Sequence, residues 1–469
     1  MEQTEGIKTL LGDPKRAIIK LSIPMIVAMS VHTIYNLVDA LWVSGLGADA
    51  LAAVGFVYPL FFMALALATG LGVGAGSALS RMIGSGNKQG ADSVTAHAFV
   101  LMIISVIIFT IPLFIFSEQI FTIIGAGTVV GPLATIYGRI IFAGSIFMFL
   151  NYIINAILRG EGDAKRAMYA MVLGAALNIV LDPIFIYTLR LGVAGAAYAT
   201  VLSFSVSSCI MVYWLIIKKD TFVTFSLRHF KFNRKIVNDI FQVGIPAALM
   251  QLSMALTMLI INAIIIIVNT TNGVAIYTTG WRVSMIAILP TIGIATAVVS
   301  VAGAAYGAKA YDKLSISHLY AVKLGLIMEV IISLVTFIFA PQIAFVFTQA
   351  ESAIALREGL TTFLQISAIF YPGIAFGMLS SSLFQGVGKG INALIITLLR
   401  TLVLTPIFAL FFASTLGLGL PGIWWGIVAA NTIFPLIAFS WVRLFIRTLH
   451  PGGKRLIKNV VPMSDDKDL

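Results

Sequence analysis

Two carboxylates, Asp39 and Asp182, stand inside long apolar stretches with no basic partner close by in sequence. An ionised side chain at the centre of a bilayer costs about 2.5–3.5 kcal/mol even on the lenient insertion scale, so an acid retained there is read first as an ion or proton site. Tyr35 and Asn36 precede Asp39 by one helical turn, and Asn178 precedes Asp182 by four residues, so each acid shares a helical face with neutral oxygen-bearing groups. Such a cluster can take up a proton or coordinate a small hard cation, which prefers oxygen ligands. Pro183, beside Asp182, lacks an N–H and displaces the carbonyl of Ile179; Pro24 does the same to Lys20 upstream of Asp39 and is the candidate hinge.

The elements that must position these residues follow from composition. Of 469 residues, 59% are hydrophobic and 10% charged, far more apolar surface than a soluble core could hide. Runs long enough to cross a bilayer, about 20 residues each, occur near 17–45, 51–80, 93–117, 131–158, 166–189, 192–217, 236–267, 274–305, 316–340, 353–384, 391–413 and 422–446. Lipid offers the backbone no hydrogen bonds, and the runs are too long for barrel strands, so the expected fold is an all-α integral membrane protein of about twelve helices.

The net charge of +11 follows topology, not a nucleic-acid partner: lysine and arginine, Arg159 among them, fill alternate loops, densest in Lys218–Lys235, while the opposite loops hold little beyond Arg190. The positive-inside rule then places both termini and the central connector in the cytoplasm. No short apolar signal region precedes the first span, so 1–16 is expected to be a retained cytoplasmic leader. The expected organisation is a six-helix lobe over 1–217, a linker over 218–235, a second six-helix lobe over 236–446 and a tail over 447–469. Six spans per lobe give parallel repeats related by an axis along the membrane normal, with a central cleft opened alternately to each side.

The chain also repeats in sequence. Val180-Leu-Asp-Pro-Ile-Phe185 recurs as Val403-Leu-Thr-Pro-Ile-Phe408, and Gly70 falls in register with Gly293, Gly84 with Gly307, and Gly195 with Gly422. In that register Asp182 faces Thr405 and Asp39 faces Asn262. The second lobe is therefore expected to be a passive partner.

Several chemistries find no support. The five histidines, His32, His97, His229, His318 and His450, show no metal-ligand spacing. Gly70-Leu-Gly-Val-Gly-Ala-Gly76 follows no strand and reads as close helix packing. No Walker-type loop occurs, so the expected driving force is an ion gradient and not a cofactor or bound nucleotide. Arg139, Arg282, Lys323, Glu329, Arg357 and Arg400 are placed near span ends, where long side chains snorkel, with Glu329 kept in view. His32 lies two turns from Asp39, either structural or lining the cleft. Tyr137, Asn151 and Asn155 on the fourth span are polar enough to line a cleft that methionines and aromatics keep adaptable.

The order Leu21-Ser-Ile-Pro24, Asn36-x-x-Asp39, Leu158-Arg-Gly-Glu-Gly-Asp163, Leu177-Asn-Ile-Val-Leu-Asp-Pro-Ile-Phe185 and Gly192-Val-x-Gly-Ala-Ala197 resembles the multidrug and toxic compound extrusion (MATE) family, most closely its DNA-damage-inducible prokaryotic branch. The resemblance implies a monomeric antiporter of the cell membrane that exports organic cations and amphipathic drugs in exchange for H+ or Na+. It also implies that Asp39, Asn178, Asp182 and Thr200 hold the ion with Tyr137 in their network, and that Tyr35, Asn36, Asn151 and Asn155 line the cavity. Other branches place acids on the seventh and eighth helices, where this chain has none. The alternative, a lipid-linked saccharide flippase of the same superfamily, is expected to line its cleft with cations, whereas acids are expected here.

Overall fold

The computed structural model describes residues 4–218, 220–226, 230–268 and 271–449; the expected tail beyond 449 lies outside the described residues. All twelve apolar runs are helical. Among the described residues ten helices are long and apolar enough to cross a membrane, and the count reaches twelve if each of two further bent pairs is one span. In chain order they are α1 (Pro14–Ser44), α2 (Ala48–Gly84), α3 (Lys88–Ile115), α4 (Val130–Ala143 and Ser145–Gly160), α5 (Ala164–Pro183) and α6 (Val193–Val212). The second half repeats the series as α7 (Arg234–Val268), α8 (Thr271–Ala287 and Leu289–Gly307), α9 (Tyr311–Ile338), α10 (Arg357–Ala368 and Tyr371–Gly386), α11 (Gly390–Leu398, continuing to Thr415) and α12 (Gly419–Leu449).

Helix starts and breaks have local causes. Asp13 caps α1 by accepting from Lys15 and Arg16 N–H, with Pro14 at the first position, where its missing N–H costs nothing. α1 runs unbroken through Pro24. The π-turn Ile184–Thr188 follows Pro183, and its counterpart Phe411–Thr415 lies four residues beyond the equivalent distance from Pro406. The repeat register shifts by those four residues between the Pro183/Pro406 and Gly195/Gly422 pairs. α4 bends by 43° at Gly144 and α10 by 53° between Ala368 and Tyr371.

The glycine run of α2 serves packing, as expected. Gly70 and Gly74 meet the α7 backbone, and Gly72 and Gly76 meet α4, because residues four apart share a face. A Cβ on Gly84 would run into the Ala304 carbonyl, and one on Gly307 into the Arg81 carbonyl, so equivalent glycines make equivalent contacts across the two halves.

Packing joins the halves on the side of the basic loops. There one core combines Ile18, Leu79 and Ile157 with Val301, Leu383 and Ile446. Toward the opposite side the cores separate, with Phe121 and Phe142 in one half and Ile265, Phe363 and Trp424 in the other. Polar ties reinforce the joined side: Arg81 donates to Asp239 Oδ1 at 2.6 Å and to the Gly386 carbonyl at 3.1 Å, and Lys313 donates to the Leu11 carbonyl at 2.7 Å. The halves are thus closed on the basic side and part on the other.

Candidate functional site

α1, α5 and α6 bring the predicted ion cluster together. The side chains of Asp39 and Asp182 are in hydrogen-bond contact, and Asp182 is wholly buried. With its amide oriented to satisfy both neighbours, Asn178 donates to Asp182 Oδ2 at 2.8 Å and accepts from the Thr200 N–H at 3.3 Å. Tyr137 and Tyr35 lie close enough to feel both acids electrostatically. Two carboxyl groups this close need a proton or a cation between them, because like charges in a low-dielectric site repel strongly. The group offers oxygen donors to either, and a small cation fits such ligands as well as a proton does.

Between the halves lies a chamber of about 440 Å³. Tyr35, Asn151, Asn155, Asn178 and Thr200 line it. Asn151 donates to Ser207 Oγ at 2.8 Å, and Asn155 donates to the Ala167 carbonyl at 3.1 Å, so both amides are held in place. His32 also lines the chamber, edge-on to Tyr35 with centroids 5.4 Å apart. Asn36 is exposed and donates to His32 Nδ1 at 3.1 Å; Asn36, Tyr137, Asp39, Asp182 and Pro24 do not belong to the chamber wall. The acids stand one side chain behind it, reached through Asn178 and Thr200.

The wall corrects one expectation. Its charged side chains are Arg159 and Arg400, not acids. Arg159 closes the last turn of α4 and bonds the Asn155 amide oxygen, where a loop position was expected. Arg400 sits about 15 Å along α11 and donates to Asn431 Oδ1 at 3.2 Å, so it is not a span-end residue free to snorkel. The repeat held the signal for it: Arg400 stands three residues before Val403, where the first copy has Leu177. Of the other charges given that reading, Arg357 does open α10 and donates to Thr348, whereas Arg139 stands nine residues into α4 and donates to Ser117 in the connection ahead of that helix. Glu329 is fully buried well inside α9.

The second-half counterparts of the acids have local occupations. Thr405 donates to the Arg400 carbonyl at 2.8 Å, satisfying an oxygen loosened by the π-turn Leu399–Leu404, and Asn262 Oδ1 is buried without a partner.

Comparison with known proteins bears on the whole assembly. The family model described as MatE matches residues 24–184 and 246–411, one stretch in each half and together well over half of the chain. The multidrug export protein MepA of Staphylococcus aureus (strain NCTC 8325 / PS 47) is 26% identical over 448 residues, covering 94% of this chain and 96% of MepA. MepA of Staphylococcus saprophyticus is 28% identical, covering 90% and 92%. Among solved structures, a MATE protein in complex with MaL6 superposes with a TM-score of 0.93 at 47% identity, covering 95% of this chain and 99% of that one. A MOP-superfamily transporter from Pyrococcus furiosus, described as having a binding pocket of reversed polarity, gives 0.92 at 46% identity, covering 96% and 99%. Sequence pattern, relatives and backbone agree across both halves: the chain belongs to the MATE family of multi-pass membrane transporters and is not an enzyme.

Proposed function

We propose that this transporter exports amphipathic drugs, organic cations among them, in exchange for H+ or Na+. The observation that carries the reading is the Asp39–Asp182 contact placed behind Asn178 and Thr200, which themselves line the chamber. Occupancy of the acid pair changes the hydrogen bonds of two wall residues, so the affinity of the chamber and the ion content of the site depend on one another. Such linkage is reciprocal: whatever weakens drug binding when an ion arrives also weakens ion binding when the drug arrives. MepA supports export of multiple drugs by its name and its match along the chain.

In this reading the lobes are 1–217 and 236–446, joined by the 218–235 linker, the chain works as a monomer, and the DNA-damage-inducible branch is its place within the family. The basic side and both termini are cytoplasmic, so the described state is open outward. A solved relative described as an outward-facing multidrug resistance MATE transporter superposes with a TM-score of 0.92. Alternation closes the outer side and parts the seam around Gly84 and Gly307, with α1 bending at Pro24.

A second reading has its own observation. Arg159 and Arg400 give the wall cationic charge, which suits an amphiphile with an anionic headgroup, and the saccharide-lipid alternative belongs to that class. One experiment separates these possibilities: efflux of a cationic dye from proteoliposomes, with pH and sodium gradients imposed separately and cationic or anionic amphiphiles added as competitors. Dye efflux that follows one gradient and yields to cationic competitors is expected. Efflux indifferent to both gradients would remove the coupling, and inhibition by anionic amphiphiles alone would favour the second reading.

A further inference from the structure

Glu329 of α9 lies in the half that lacks the acid pair. It is fully buried, and it lies on the same helix face as His318, Val322 and Gly325, which are buried too. Its Oε1 accepts the Thr291 hydroxyl at 2.6 Å, while Oε2 has no partner. Among the described residues no lysine, arginine or histidine forms an ion pair with it. A carboxylate removed from water without a cation costs several kcal/mol, and an orphaned oxygen adds to that cost. Among the described residues the one side chain bonded to it is the Thr291 hydroxyl, fewer oxygen ligands than a hard metal ion collects.

The position is mechanically informative. Thr291 stands in the first turn of the second segment of α8, just after that helix breaks between Ala287 and Leu289. One turn beyond Glu329, Ser333 donates to the Ala368 carbonyl at 2.7 Å, the last residue before the 53° bend of α10. Tyr371 is the first residue after that bend; it is in electrostatic range of Glu329 and donates to Ser284 Oγ at 3.1 Å. One turn of α9 therefore holds two helix breaks. Ser284 in turn lines a cavity of about 60 Å³ that shares Met254, Met378 and Arg400 with the main chamber, so the Tyr371–Ser284 bond stands between that cavity and the α9 turn carrying Glu329.

We propose that Glu329 is a second proton-binding site, in the second half of the molecule, whose occupancy biases the α8 and α10 breaks. The inference rests on the ion-coupled reading above and adds a carboxyl to it. The titratable groups on the elements packed around α9 are few. α8 offers Tyr277, Arg282 and Tyr306; α10 offers Tyr371, with Arg357 and Glu358 at its far end; α12 offers Arg443 and Arg447 at its basic-side end. α1 offers His32, Tyr35 and Asp39, with Lys15, Arg16 and Lys20 at its basic-side end, and α9 itself carries Tyr311, Asp312, Lys313, His318, Tyr320 and Lys323.

The test is pH-difference infrared spectroscopy of the full chain reconstituted in lipid, in an Asp39→Asn/Asp182→Asn/Glu161→Gln background that silences the acid pair and the buried Glu161. A carbonyl-stretch band of a protonated carboxylic acid should appear as pH falls, vanish in Glu329→Gln and return in Glu329→Asp. A cooperative thermal unfolding transition like the parent's in each variant shows that it has folded. A band unchanged in Glu329→Gln, or one that never titrates, overturns the proposal. Because this readout needs no transport, it stands or falls apart from the efflux result. With the first-half acids intact, Glu329→Gln should also lower by one the slope of log drug accumulation against imposed pH difference; an unchanged slope would again overturn it.

Discussion

At the residue scale the contact between Asp39 and Asp182 decides what the first half can do. Among the described residues neither acid forms an ion pair with a base, and two carboxyl groups this close need a shared proton or a bound cation between them. They act as one site, so their removal should not add: Asp39→Asn and Asp182→Asn should each lower gradient-driven dye efflux by about tenfold or more, and the double variant should fall no further than the worse single. Asn262→Ala and Thr405→Ala, at equal expression, should stay within about twofold, because Thr405 spends its hydroxyl on the Arg400 carbonyl and surface-independent local bonds of this kind are worth only about 1 kcal/mol. Additive losses at the two acids would show two independent sites instead.

At the element scale the connector between the halves is docked and does not merely span. Arg166 grips Asp220 with two bonds of 2.8 and 2.7 Å, Thr224 N–H donates to Asp92, and the N–H groups of Phe222 and Val223 donate to Glu161 at 3.0 and 3.2 Å. Glu161 lies in the loop between α4 and α5, and burial raises its carboxyl from 4.5 to about 8 despite those two donors. The folded form thus keeps a proton that the undocked form has already lost. Between pH 4.5 and about 8 the undocked form binds fewer protons, so docking weakens as pH rises and levels off above about 8. Amide exchange at Phe222 and Val223, corrected for the intrinsic rate, should show protection falling across that window, with the fall absent in Glu161→Gln. Protection that increases with pH would reverse the assignment.

The same scale shows what could be read ahead of the structure. Hydropathy located the ten to twelve candidate spans, and the two acids stood out as carboxylates inside them that the second repeat lacks, since length and register are written in sequence. The bends at Gly144 and at Ile369–Phe370 were not, because no proline marks the first and both depend on what packs against them. Arg159 and Arg400 were misplaced for a related reason: a lone arginine near an apolar run looks the same whether it snorkels to the surface or turns inward to an asparagine. Glu329 could be seen as an intramembrane acid, but its isolation from any cation is a property of three-dimensional neighbours.

At the scale of the whole molecule, the seam on the basic side is built from main chain meeting main chain at Gly84 and Gly307, with the Arg81–Asp239 pair beside it. If the transport cycle parts this seam, it forms and dissolves once per turnover, so its strength becomes a matter of timing as well as of structure. Gly84→Ala places a methyl against the Ala304 carbonyl in the closed seam only. Its expected result is a shift in double-label distance distributions toward the state open on the basic side, with little change in thermal stability; loss of folded protein at equal expression would mean the glycine serves assembly and not the cycle. A single added carbon would then shorten the dwell in one state and leave turnover limited by the return step, making the seam a clock setting for the transporter that can be adjusted without touching drug or ion.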